Sequence, residues 1–303
     1  MVSVMRYTTL VSTDTLAATL NNPGLTIVDC RFDLADPADG ERAYTGAHIP
    51  GAVYAHLDRD LSGPTTGRNG RHPLPDPATM AETLGRLGID GGTQVVAYDQ
   101  DSGMFASRLW WLLRWLGHDL AAVLDGGFTK WLSEERPTRS GLETRSQRVF
   151  APQPRPEMVA TLSDVEAVVG RPGWRLLDAR APERFRGDIE PIDRIPGHIP
   201  GAVNHHFKWN VDDNGRFKSG ADLRAGLSKA VGNVAPQQIV SYCGSGVTAC
   251  QNLLALELAG MSGARLYPGS WSEWASDTAR PAETGAGGPG GAGAAGGAGV
   301  AGK

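Results

Sequence analysis

Cys243-Gly244-Ser245-Gly246-Val247-Thr248 joins a cysteine to a short glycine-rich run. It lies between an apolar segment, 238–242, that reads as a buried strand, and a segment from Thr248 that reads as helix. In open α/β sheets, reactive groups lie at this place, beyond the carboxyl end of a strand. Two glycines let the backbone bend tightly and turn successive N–H groups toward one point. The positive end of the following helix adds to that field, so a thiolate on Cys243 is stabilised and becomes a good nucleophile. A persulfide on the same sulfur would be cradled as an anion. The competing reading is an ordinary buried thiol, because free cysteines are among the most buried residues. Two other uses of such a loop are excluded. A phosphate-binding loop needs Gly-Lys-Ser/Thr, and none is present. A Cys-x5-Arg phosphatase needs a guanidinium where this chain has Ala249. No Cys/His spacing suggests zinc.

The elements that must position this loop occur twice. Gly46-Ala47-His48-Ile49-Pro50-Gly51-Ala52-Val53 returns as Pro196-Gly197-His198-Ile199-Pro200-Gly201-Ala202-Val203. Ile27-Val28-Asp29-Cys30-Arg31 returns as Leu176-Leu177-Asp178-Ala179-Arg180, and Val95-Val96-Ala97-Tyr98-Asp99 as Ile239-Val240-Ser241-Tyr242-Cys243. Asp125-Gly126-Gly127-Phe128 aligns with Pro268-Gly269-Ser270-Trp271. Four blocks in the same order mean two homologous domains. Apolar runs at 26–29, 94–98 and 122–124 read as strands, with helices at 77–87 and 107–116. The second half gives strands at 175–177, 238–242 and 265–267, and helices at 163–169, with Ser163 and Glu166 as a capping box, and 248–259. Such alternation predicts an α/β fold, each half a mainly parallel sheet with helices on both faces. The domains are expected at 7–136 and 159–282. A proline-bearing linker joins them at 137–158, and a Gly/Ala-rich, flexible tail follows at 283–303.

Composition bounds the rest. The chain has 303 residues, 41% hydrophobic and 20% charged, so it can bury a core. A net charge of −4 leaves no basic footprint for nucleic acid or an anionic membrane. No apolar stretch reaches the length of a membrane helix, and the first twenty residues lack the apolar core of a signal peptide. Three cysteines, an odd and sparse set, suit a reducing compartment, so the cytoplasm is the default. The chain is expected to act as a monomer.

Cys243-Gly244-Ser245-Gly246-Val247-Thr248-Ala249 resembles the active-site signature of the 3-mercaptopyruvate sulfurtransferases, within the two-domain rhodanese family. The repeated Gly-His-Ile-Pro-Gly-Ala blocks, Asp178-x-Arg180 and Gly269-Ser270-Trp271 resemble it too, and the likeness covers residues 7–280. The resemblance implies sulfane-sulfur transfer through a Cys243 persulfide, with no metal or organic cofactor. The donor would be a small molecule and the acceptor a thiol, a thioredoxin-like protein among the candidates, or cyanide. Thiosulfate-using members carry two basic residues after the cysteine; the neutral Gly244 and Ser245 here favour mercaptopyruvate. The resemblance also implies a hydroxyl–imidazole–carboxylate relay of Ser245, His72 and Asp58, whereas by spacing alone His72 reads as a solvated loop histidine. Arg184 resembles the family's substrate-binding arginine; Arg194 is the choice for the second, with Arg186 in reserve. Gly244, Gly246, Val247 and Thr248 would cradle the transferred sulfur.

Asp99 stands in the first domain where Cys243 stands in the second. A carboxylate cannot carry sulfur, so that domain is read as inactive, one wall of an inter-domain cleft. Its following loop has the acidic Asp101 and a single glycine, and is expected to lack an anion cradle. Cys250 and Cys30 read as packed thiols, His48 and His198 as structural turn residues, and Trp110, Trp111 and Trp115 as a helix packing face. The same-class rival is a thiosulfate:cyanide sulfurtransferase. The different-class rival is a non-catalytic sulfur-carrier or binding module.

Overall fold

The computed structural model of the chain describes residues 6–287. Its first half runs β1 (Leu10–Val11), α1 (Thr13–Thr19), β2 (Leu25–Asp29), α2 (Asp39–Gly46), β3 (Ala52–Tyr54), α3 (Leu57–Asp60), α4 (Pro77–Arg86), β4 (Gln94–Tyr98), α5 (Ala106–Trp115), β5 (Ala121–Leu124) and α6 (Gly127–Ser133). These strands form a parallel sheet in the order β1-β5-β4-β2-β3. β2, β4 and β5 are buried along their whole length, which is why their sequences are continuous apolar runs rather than alternating ones.

The second half repeats the plan with α7 (Leu162–Val168), β6 (Arg175–Asp178), α8 (Pro182–Arg186), β7 (Val203–Asn204), α9 (Gly220–Val231), β8 (Ile239–Tyr242), α10 (Thr248–Leu258), β9 (Arg265–Leu266) and α11 (Ser270–Trp274). Its sheet is parallel in the order β7-β6-β8-β9. A lone parallel bridge between Val159 and Leu266 stands where the first domain pairs β1 with β5. Two helix-flanked parallel sheets are therefore the observed architecture. The capping box at the start of α7 differs from the expected one. Thr161 caps the helix, accepting from the Asp164 N–H, while Asp164 accepts from the Thr161 N–H. Ser163 and Glu166 are not its members, because the same Thr-x-x-Asp pattern occurs two residues earlier, in the register that buries Val165 and Val168.

The linker is a strap rather than a spacer. His48 and Arg139 exchange backbone hydrogen bonds at 2.8 and 2.9 Å, the Arg148 N–H donates to Gly85, the Gln153 N–H to Leu116 and the Arg155 N–H to Trp115. Phe150 is buried under it. His198 and Glu283 repeat the His48–Arg139 clip in the second domain, and the Gly285 N–H donates to Arg186. Residues 283–287 thus belong to the fold, which corrects the tail boundary; the Gly/Ala run from 288 lies outside the described residues. The two histidines take the structural role expected of them. Each ring bonds a carbonyl, of Tyr44 and Phe185 respectively, and stacks on the same residue.

The domains share a core. α5 packs against α10, and Leu109, Leu112 and Leu113 join Leu253, Leu254 and Leu256 in one apolar cluster. Gln251 donates to the Ser102 carbonyl and the Phe217 N–H to Asp125 across the same boundary. No described helix is long and apolar enough to cross a membrane.

Candidate active site

β8 ends one residue before Cys243, which is buried at only 2% exposure. The Gly246 N–H donates to Sγ at 3.1 Å, the loop amide within reach of the sulfur. The Cys243 N–H donates to Ser270 Oγ at 3.1 Å, and the Trp271 and Ser272 amides hold the Cys243 and Gly244 carbonyls. Gly246 has φ +77°, and a Cβ there would meet the Pro268 carbonyl oxygen at 2.5 Å, so the tight loop requires glycine. Val247 caps α10 and is buried, and Thr248 is the first residue of that helix.

Ser245, His72 and Asp58 stand in line. His72 Nδ1 lies 2.7 Å from Ser245 Oγ, and Nε2 lies 3.2 Å from Asp58 Oδ1. Burial holds the His72 imidazole down to about 4, with the Arg108 cation adding to the effect and Asp58 opposing it. The ring is therefore neutral near pH 7. The Asp58 carboxylate only accepts, so Nε2–H donates to it and Nδ1 is left to accept the Ser245 hydroxyl proton. The Arg71 N–H, one residue before His72, donates to Ser272 Oγ and anchors this loop to the second domain.

Two guanidinia face the cysteine loop, one from each domain. A Cβ placed on Gly244 would meet Arg71 Nη2 at 2.8 Å and Arg184 Nη1 at 3.7 Å. Arg184, on α8, donates to Glu190 at 2.6 Å and to Asp193 at 3.1 Å, while Arg71 also pairs with Asp193. Asp193 thus bridges the two arginines, and burial raises its carboxyl. Arg194, the expected second arginine, is exposed. It lines a cavity of about 390 Å³ at the cleft mouth with Arg71, Asp193 and Ser272. The place beside Gly244 belongs to Arg71 instead, because only the packing of the domains decides which loop of the first faces the second. The one signal in the sequence was its adjacency to His72. Arg186 is paired with Asp188 on the surface.

The rhodanese-like domain model matches residues 12–134 and 161–277. A Pseudomonas aeruginosa protein named as a probable 3-mercaptopyruvate sulfurtransferase is 47% identical over 91% of this chain and 98% of its own length. Thiosulfate sulfurtransferase of Bos taurus is 33% identical over 90% of this chain and 94% of its own. The solved 3-mercaptopyruvate sulfurtransferase of Leishmania major superposes with a TM-score of 0.78 at 29% identity, covering 88% of this chain and 74% of that one. The chain belongs to the rhodanese family of sulfurtransferases.

The first rhodanese domain departs from the sequence reading at Asp99. Its loop is an anion cradle after all, filled by its own side chain: the Asp99 carboxylate accepts from the Gly103, Phe105 and Ala106 amides at 3.0, 2.7 and 3.0 Å. Burial outweighs these donors and pushes the carboxyl up to about 6. Backbone N–H groups, not glycine count, make the cradle, and Asp101 does not prevent it. In the second rhodanese domain, the Cys250 S–H donates to the Gly246 carbonyl, and burial pushes that thiol up to about 12. Cys30 is likewise buried and raised. Both fit packed thiols, and none of the three cysteines is in a disulfide.

Proposed function

We propose that the protein takes sulfane sulfur from 3-mercaptopyruvate onto Cys243 and passes it to a thiol or to cyanide. The observation that carries this reading is the Ser245–His72–Asp58 line ending beside the cysteine loop. Mercaptopyruvate differs from thiosulfate in its leaving group, a carbon that must acquire a proton, and a hydroxyl wired to a neutral imidazole can deliver one. The donor's carboxylate would be held by Arg71 and Arg184 in place of Asp193, through paired charge-assisted bonds. The Cys243 thiolate then attacks the donor sulfur. An S–S bond forms, the C–S bond breaks, and its electron pair leaves on carbon as pyruvate enolate. The donor's thiol proton, carried by the relay, ends on the new methyl group. The Gly246 amide supports the charge on Cys243 Sγ when it is a thiolate, before the attack and again when it leaves. In the second half-reaction an acceptor thiol, a thioredoxin-like protein fitting the role, attacks the outer sulfur and Cys243 leaves as thiolate. Three free thiols suit a reducing compartment such as the cytoplasm.

Thiosulfate:cyanide transfer is the second reading, favoured by the two guanidinia beside Gly244, which also suit a dianion. Mass spectrometry after incubation with each donor tests both: one added sulfur on Cys243, absent in Cys243→Ser, is expected. No added sulfur from either donor refutes sulfur transfer altogether. A higher kcat/KM for thiosulfate than for mercaptopyruvate would select the second reading.

A further inference from the structure

Arg108 lies on α5, in the apolar contact between the domains, and is 0% exposed. Its guanidinium donates to backbone carbonyls, Nη2 to His72 at 3.1 Å, Nη1 to Gly246 at 3.1 Å, with longer bonds to Leu61 and Pro73, and it also lies against the Cys250 thiol. No carboxylate pairs with it among the described residues; the ionisable groups near it are Cys250, Cys243 and His72. A buried cation without a counter-ion is costly, and apolar neighbours such as Leu109 and Leu112 show what a cheaper filling would be. Its two best bonds end on the two parts that the chemistry must bring together. His72 carries the relay from the first domain, and Gly246 carries the amide that meets Cys243 Sγ in the second.

We propose that Arg108 is a positioning residue for sulfur transfer: its guanidinium fork ties the His72 and Gly246 carbonyls together and so sets the proton relay in register with the cysteine loop. This rests on the sulfurtransferase reading above. A lysine cannot span both carbonyls, because it offers a point charge rather than a planar fork. The fork also places a fixed positive charge near His72. The charged and titratable groups around that ring are Asp58 from α3, Arg71 on its own loop and Arg108 from α5, while the Cys243 and Cys250 thiols lie near Arg108 itself. Loss of the Arg108 charge therefore eases protonation of His72, while loss of the fork alone does not.

Arg108→Gln and Arg108→Lys separate the two effects, with circular dichroism and melting curves to establish folding. In Arg108→Gln, kcat for mercaptopyruvate should fall roughly a hundredfold, the cost of a small misplacement of reacting groups. KM should change little, because Arg71 and Arg184 are untouched. The acid limb of kcat/KM and the imidazole NMR titration of His72 should both move to higher pH. Arg108→Lys should lose kcat while keeping the wild-type acid limb. Wild-type kcat in either folded variant overturns the proposal, as does a fall in kcat with an unmoved His72 titration in Arg108→Gln. If the glutamine variant does not fold, kcat in Arg108→Lys decides alone. Persulfide loading of wild-type Cys243 is run alongside: its absence defeats the sulfurtransferase reading, whereas loading with unaffected variants defeats only this proposal.

Discussion

Cys243 has two kinds of neighbour, and donor choice follows from which of them is changed. Ser245→Lys adds a cation beside the donor and deletes the relay hydroxyl. A charge-assisted hydrogen bond contributes about 1.5–3 kcal/mol, roughly ten- to a hundredfold in rate when expressed in the transition state. Steady-state kinetics should show kcat/KM rising for thiosulfate and falling for mercaptopyruvate. Equal loss for both donors, with reduced persulfide loading, would make Ser245 a structural loop residue. His72→Ala should harm mercaptopyruvate turnover more than thiosulfate turnover, since only the former needs a proton. Arg71→Ala tests the arginine that the sequence did not single out. It should raise KM for mercaptopyruvate about tenfold or more, in keeping with loss of a charged hydrogen bond, whereas Arg194→Ala should leave KM near the wild-type value.

At the scale of elements, the two strand-end loops are variants of one device. Each starts after the central strand of its sheet and ends at a long helix, with six residues between Asp99 and α5 and four between Cys243 and α10. One cradle holds a carboxylate, the other a sulfur. The Asp99 carboxyl titrates near 6 when folded, against about 4 in an unfolded chain. The folded state therefore binds the extra proton between those values, so stability falls as pH rises from about 4 to about 6 and stays lower above. Asp99→Asn removes this term while keeping an oxygen for the amides. Its stability relative to wild type, from urea melts, should rise by about 2–3 kcal/mol between pH 4 and pH 7. A difference independent of pH would mean that Asp99 is already ionised throughout this range.

For the whole molecule, the shared α5–α10 core argues that the two rhodanese domains unfold together. Calorimetry should show one transition rather than two. The clips that close each domain are equally global, because His48 is held by the strap at Arg139 and His198 by Glu283 at the far end of the second domain. A chain ending at residue 282 lacks the second clip and leaves buried backbone groups of His198 unpaired. It should melt several degrees below a chain ending at residue 287, on the usual scale of about 2–4 °C per kcal/mol for domains of this size. Equal melting temperatures would show that the clip contributes nothing.

The sequence alone determined what repeats and what is local. Two α/β domains were legible because their central strands are buried on both faces and so spell continuous apolar runs. The nucleophile was legible because a cysteine between a strand and a helix, flanked by glycines, is a local pattern. His72, Asp58 and Arg184 were named through resemblance, since nothing in their spacing ties them to Cys243. Short edge strands such as β1 and β7 have too few residues to carry a period. Arg71 had no signal beyond its adjacency to His72, and Arg108 had none: one sits in a loop, the other in a helix that reads as packing surface. Their meaning depends on which faces of the two sheets' helix layers meet, and side chains more than a hundred residues from the cysteine acquire a role only when α5 packs on α10. The same packing put Arg71 rather than Arg194 beside Gly244, because the cleft is a surface between domains and no stretch of chain contains it.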